Sequence, residues 1–285
     1  KNWRKVDTFP GVPAGTYVTD VFASPRDADV VFVSFGNWQR GDFKPYILRS
    51  ADRGRTFASV AGDMPDRQNV YAVVQDHVNG NLLFAGTEFG LWVSVDGGRH
   101  WAQMQGGLPT VQVRDLAVQR RENDLVLGTY GRSFYVLDAY SPLRELSAQA
   151  LAEEARLLPL RDAYLYSILG QQQAVESNWR APNPPYGAML TYHIASAQPA
   201  DTKIVLTIAD ANGRTIRQLD GRDAASTVPQ VPGLHRVAWD LRADAPPPAP
   251  PAAGGAGGAG GRGGQGGGFG GGRGGASQGP VVEPG

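Results

Sequence analysis

The chain has 285 residues, and its 27 Lys plus Arg are balanced by 27 Asp plus Glu, so no strong field draws nucleic acid or an acidic membrane surface toward it. It has no cysteine, which excludes disulfides and thiolate chemistry. No apolar run approaches the roughly 18 residues of a membrane span, and no signal peptide stands at the N-terminus.

Lys1-Asn2-Trp3 reads as the tail of a motif that recurs twice downstream. Residues 50 to 57, SADRGRTF, and residues 94 to 101, SVDGGRHW, share the template Ser-x-Asp-x-Gly-x-x-aromatic, carried by Ser50, Asp52, Gly54 and Phe57 and again by Ser94, Asp96, Gly98 and Trp101. On this reading the chain begins inside a third copy. The repeat extends past the box: GDMP and VYAVVQ follow Phe57, while GGLP and VRDLAV follow Trp101. LLFAGT matches LVLGT, and Asp138 lies ten residues past Gly128 as Asp96 lies ten past Gly86, marking a degenerate box with Val136 in the serine place.

The strands expected in chain order are VTDVFA, VVFVSF, YILRS, VYAVV, LLFAG, LWVSV, LAV, LVLGT and SFYVL, short runs rich in β-branched and aromatic residues between Gly, Pro, Asn and Asp. Phe57 and Trp101 are 44 residues apart, and a period in the forties with short strands marks propeller blades, small sheets that need neighbours to cover their faces. Trp3 and Phe57 are 54 apart, so one unit carries an inserted loop, Gly36 to Tyr46. The box itself is turn chemistry. Asp and Ser oxygens accept from nearby backbone N–H groups, Gly supplies positive φ, and the aromatic anchors the hairpin.

The stretch from WQRGDFKPYILRSADRGRTF through LLFAGTEFGLWVSVDGGRHW to DLVLGTYGRSFYVLD resembles the Asp-box, or bacterial neuraminidase repeat, proteins, and most of all the large bacterial proteins with a sortilin-like propeller that carry a glycosyl hydrolase label. Sialidases, xyloglucanases and sortilin receptors share the box. In them it lies on blade turns away from the catalytic centre, so the resemblance implies a fold and is nearly silent on activity.

Residues 141–160 change character, and ELSAQALAEEARLL predicts a connecting helix that Pro159 ends. Strands are expected again at MLTYHI, within KIVLTIADANGRTIRQL and at LHRVAWDLR, with Asn212-Gly213 as a two-residue hairpin turn. This order resembles the Ig-like β-sandwich of secreted bacterial proteins and flagellar hook-cap proteins, with Pro284-Gly285 where a further strand starts. Between them, PPPAPP and the glycine-rich run broken by Arg262, Gln265, Phe269 and Arg273 bury too little to order, and predict a flexible loop rather than an RNA-binding Arg-Gly-Gly segment.

The expected fold is therefore all-β: propeller blades over 1–140, a short helical linker over 141–160, an incomplete Ig-like sandwich over 161–245, a loop over 246–280 and the start of another strand over 281–285.

The four histidines, His77, His100, His193 and His235, show no ligand spacing, so neither a metal nor a cofactor is expected. Asp20 in VTDVF and Asp115 in VRDLA occupy equivalent places in opening strands, which line a propeller's channel, while the unit between has Ala72. They are the candidate catalytic carboxylates, or else strand-end caps or partners of arginines such as Arg114. The inserted loop, with Trp38, Arg40, Asp42 and Tyr46, is the candidate ligand surface, or else an ordered connection packed on the next blade. The reading is a non-catalytic binding or scaffold part of a secreted, extracytoplasmic protein, with polysaccharide or peptide as partner, no nucleic acid, and the rest of its propeller upstream. The competing reading is a glycoside hydrolase resembling xyloglucanases or sialidases, with carboxylates partly outside this stretch.

Overall fold

The computed structural model describes residues 3–166, 184–199, 202–221, 227–244 and 280–282. The chain is all-β and divides into two compact units, Lys1–Pro159 and Leu160–Gly285. Among the described residues no helix is long and apolar enough to cross a membrane.

The first unit consists of consecutive small antiparallel meanders, the arrangement of propeller blades. Strands β1 (Tyr17–Ala23), β2 (Val31–Asn37), β3 (Asp42–Ser50) and β4 (Ala58–Ser59) form the first sheet in that order. The second repeats the order with β5 (Val70–Gln75), β6 (Leu83–Thr87), β7 (Gly90–Ser94) and β8 (Ala102–Gln103). The third contains β9 (Val113–Gln119), β10 (Asp124–Thr129) and β11 (Phe134–Leu137). The opening strands lie side by side, β1 against β5 and β5 against β9.

Alternation from Leu82 into β6 shows why no blade stands alone. Leu82 and Phe84 face the third sheet, in one core with Leu116, Leu125 and Leu127, while Leu83 and Ala85 face the first, in a core with Phe32 and Ile47. Each side of the second sheet is thus a packed apolar interface, and burying a leucine or phenylalanine there contributes roughly 1.5–3 kcal/mol. All of β5 and β6 is buried, whereas β1 exposes Tyr17, Val18 and Val21.

After each complete box the aromatic leads into a two-residue strand: Phe57 into β4, which pairs with Leu48 and Arg49, and Trp101 into β8, which pairs with Trp92 and Val93. No equivalent strand follows β11 among the described residues. A cavity of about 230 Å³ opens there, lined by residues that include Leu91, Met104, Leu108 and Leu127. Ile47, Val60, Met64 and Ala85, the corresponding residues one repeat earlier, share a core cluster with Trp101.

The connecting helix is shorter than its sequence predicts. A 3-10 turn occupies Ser141–Glu145 and α1 covers Ala148–Ala152, capped by the Ser147 hydroxyl, which accepts from the Ala150 N–H at 3.1 Å. The chain is extended by Glu153 and forms β12 (Ala155–Leu157). A helix this short depends on packing, and of the leucines in that stretch Leu151 and Leu157 are 37% and 52% exposed while Leu158 is buried.

In the second unit β13 (Ala188–Ile194) pairs antiparallel with β16 (Gly233–Trp239), and β14 (Leu206–Ala209) pairs with β15 (Thr215–Leu219). Both pairs contribute to one core, Leu190, Tyr192, Ile194 and Val237 from the first and Leu206, Ile208 and Leu219 from the second. The β14–β15 connection differs from the expected two-residue turn. Asp210 N–H donates to Arg214 C=O and Gly213 N–H to Asp210 C=O, both at 2.9 Å, and Gly213 has φ +80°, which makes a three-residue loop with glycine in the left-handed position. Asp210 imposes it, accepting from the N–H groups of Asn212 and Arg214. Val281 bridges to Arg242. The glycine-rich loop expected before Pro280, and Pro284-Gly285 after it, lie outside the described residues.

Candidate functional site

The two boxes fold to the same hydrogen-bond pattern. In the first, the buried Ser50 hydroxyl donates to Asp52 at 2.7 Å and accepts from the Gly54 N–H at 2.8 Å, while Asp52 accepts from the N–H groups of Arg55 and Thr56, both at 2.9 Å, and from the Thr56 hydroxyl at 2.7 Å. In the second, Ser94 donates to Asp96 at 2.9 Å and accepts from Gly98 at 2.8 Å, and Asp96 accepts from Arg99 and His100, both at 3.0 Å. The His100 imidazole stands 2.6 Å from Asp96 Oδ2, where the threonine hydroxyl stands in the first box.

These bonds favour the charged carboxylates. Backbone and side-chain donation from Thr56, then donation from Ser50, holds Asp52 far below the ordinary range. Burial alone would raise Asp96, but donation from His100, Ser94 and Arg99 holds it at about 2, and the Asp96 hydrogen bond in turn raises His100. Trp101 adds a link between sheets: its indole N–H donates to Val60 C=O at 3.0 Å and its backbone N–H to Asp63 at 2.7 Å.

The inserted residues extend a hairpin. A 3-10 turn over Trp38–Arg40 ends at Gly41, with φ +76°. Arg40 donates to Ala14 C=O at 2.8 Å; Asp42 accepts from Asn37 at 3.0 Å and from the Tyr46 hydroxyl at 2.7 Å. Against a desolvation that would raise it, those bonds and the Lys44 N–H hold Asp42 low, and burial followed by the Asp42 bond pushes Tyr46 up to about 12. Arg40, Asp42 and Tyr46 therefore brace the hairpin. Trp38 makes none of these bonds, and it is 47% exposed.

Trp38 lines a cleft of about 250 Å³ with Gln39, with Tyr17 and Thr19 of β1, Tyr71 of β5 and Arg114 of β9. The loop and the channel-lining strands, two separate candidate surfaces in the sequence, meet here. Asp20 and Asp115 are not among the lining residues. Asp20 is half-buried and accepts from the Val73 N–H of the neighbouring opening strand at 3.1 Å; Asp115 is exposed and accepts from Leu116 N–H at 2.9 Å.

Sequence reasoning missed Tyr71, met Arg114 only as a possible partner of the carboxylates though its side chain meets Tyr71 across sheets, and missed a buried network at the far turn of the second sheet. There Asp76 is fully buried and accepts from Arg144 at 2.8 and 2.9 Å, from the Tyr140 hydroxyl at 2.7 Å, and from the N–H groups of Val78 and Asn79 at 3.0 and 2.6 Å. Arg144 also donates to Asn123 at 2.6 Å. Desolvation would raise Asp76, but Arg144, the Asn79 N–H and Tyr140 hold it at about 2. Burial, then Asp76, pushes the Tyr140 phenol well above its ordinary value. Asp-x-x-Asn-Gly at 76 to 80 is a readable turn, but its partners arrive from the degenerate-box region and the 3-10 turn beyond it.

No family model and no curated protein matches the chain. Among solved structures it is similar to the GH74 xyloglucanase from Xanthomonas campestris, at 21% identity over 50% of this chain and 25% of that one, with a TM-score of 0.35. It is similar to the GH74 enzyme of Niastella koreensis at 17% identity over 73% of this chain and 31% of that one, TM-score 0.36. An ancestral GH74 enzyme matches at 17% identity over 74% of this chain and 29% of that one, TM-score 0.35. The chain thus spans about a quarter to a third of the length of these structures.

Proposed function

We propose that this stretch is a non-catalytic binding and scaffold part of an extracytoplasmic Asp-box propeller protein, its second unit an incomplete Ig-like sandwich, and that the cleft beneath Trp38 holds extended polysaccharide. The observation that carries the reading is the convergence of Trp38 from the inserted hairpin with Tyr17, Tyr71 and Arg114 of three neighbouring opening strands. Sugars stack on aromatic faces and take orientation from a few fixed polar groups, and this lining offers both. The engagement of Asp20 and Asp115 by backbone N–H groups supports a structural role for each.

Titration with a panel of plant and bacterial polysaccharides, with reducing ends assayed in parallel, tests it. Binding that is lost in Trp38→Ala, with no sugar released, is the expected result. Release of reducing sugar that vanishes in Asp20→Asn or Asp115→Asn overturns it in favour of a glycoside hydrolase.

A further inference from the structure

The cleft contains one charged side chain, and it is held with unusual firmness for an exposed arginine. The Arg114 guanidinium carbon lies 4.0 Å from the Tyr71 ring centroid and 5.2 Å from that of Tyr130. Its Nε donates to Gln112 at 3.0 Å. Gln112 donates to one oxygen of Glu88 and the Tyr71 hydroxyl donates to the other, so both tyrosine and glutamine are fixed from behind. Glu88 is occupied by these neutral donors and forms no ion pair with Arg114. Among the described residues no acceptor meets the two terminal amino groups of Arg114, and no carboxylate lines the cleft.

A planar guanidinium, stacked and already tethered through Nε, presents its remaining fork in a set direction, and that fork matches a carboxylate in a bidentate way that a lysine cannot. Tyr17 and Trp38, 71% and 47% exposed, flank it with open aromatic faces for the apolar side of a sugar ring. We infer that the cleft selects an acidic polysaccharide, a uronic-acid chain whose carboxylate pairs with Arg114 while its ring stacks on Trp38 or Tyr17. This rests on the reading of the cleft as a glycan site and adds the charge of the glycan.

The test is calorimetric titration of the chain with polygalacturonate, with its fully methyl-esterified form, with neutral xyloglucan and with poly-glutamate. Expected is an affinity for polygalacturonate about tenfold or more above the ester, since a hydrogen bond to a charged partner is at stake. Arg114→Gln and Arg114→Lys should each abolish that margin in a protein that still melts cooperatively; the lysine keeps the charge and loses both stack and fork. Full binding by the lysine variant reduces the effect to bare charge and overturns the inference. Equal affinity for polygalacturonate and its ester also overturns it, as does equally tight, Arg114-dependent binding of poly-glutamate. Trp38-dependent binding of xyloglucan alone leaves the glycan reading standing and removes the acidic one. Binding of none removes both.

Discussion

The Tyr140 hydroxyl donates to Asp76 Oδ1 at 2.7 Å across 64 positions of sequence, fastening the chain that leaves the third sheet to a turn of the second. With Arg144 bidentate on the same carboxylate, the contact closes around a charge that has no access to water.

Arg144→Met should therefore destabilise the first unit by about 3–5 kcal/mol, because it strands a buried charge. Acid should act on the same group. The Asp76 pKa is depressed in the folded state to about 2, so its contribution is complete above the unfolded value near 3.8 and is lost as pH falls from there to 2. That contribution is on the order of 2 kcal/mol. Thermal melts at pH 6 and below pH 3, for parent and Arg144→Met, check both; a pH-independent parent contradicts the assignment.

The box glycines should differ in sensitivity. Gly54 and Gly98 have φ +73° and +91°, but a Cβ on Gly54 meets nothing closer than Phe57 at 3.6 Å, whereas one on Gly98 would stand 2.4 Å from the Val60 carbonyl oxygen. Gly54→Ala should cost roughly 1–2 kcal/mol for the left-handed backbone. Gly98→Ala adds overpacking of roughly 1–3 kcal/mol, because the sheets themselves must part. Denaturant midpoints of the two variants measure the gap.

His100 gives the second box a pH dependence near neutrality that the first lacks. Its pKa is raised in the folded state by Asp96, so the protonated pair stabilises fully below the unfolded value near 6.5 and the gain is lost as pH rises through the folded value. Melting temperature should fall across that window in the parent. His100→Thr, which copies Thr56, should flatten the profile. An identical slope in both proteins would refute the pairing.

Trp38→Ala should separate binding from folding. The side chain is about half exposed and closes no core, so stability should change by less than about 1 kcal/mol, while loss of an aromatic stack should weaken polysaccharide binding by roughly fivefold or more. Affinity electrophoresis beside a thermal melt reads both.

Strands with strong patterns were legible in the sequence: β5 and β6 as runs of Val, Tyr, Leu and Phe, and the boxes as turns. β4 and β8 were not, since Ala58-Ser59 and Ala102-Gln103 carry no pattern and exist because Phe57 and Trp101 place them against β3 and β7. The 3.6-residue period at 146 to 158 misled for the opposite reason: its leucines were not gathered onto one buried face, and the backbone turned extended at Glu153. At the site, Trp38 was visible as an aromatic in an insertion. Its companions Tyr71 and Arg114 lie on ordinary strands with no pattern that sets them apart, and only the sideways stacking of β1, β5 and β9 brings them beneath it.

The unfinished third sheet sets an order in which this unit comes apart. In stacked repeats, stability is close to a sum of each repeat's own term and its nearest-neighbour terms. Among the described residues the second sheet packs against both neighbours and the third against one, and the β11 ladder has a free side. Local opening should therefore begin at β11, where Phe134 is 66% exposed, pass through β10 and reach β6 last. Amide exchange along these strands should slow in that sequence, so the third sheet opens strand by strand ahead of the second rather than together with it.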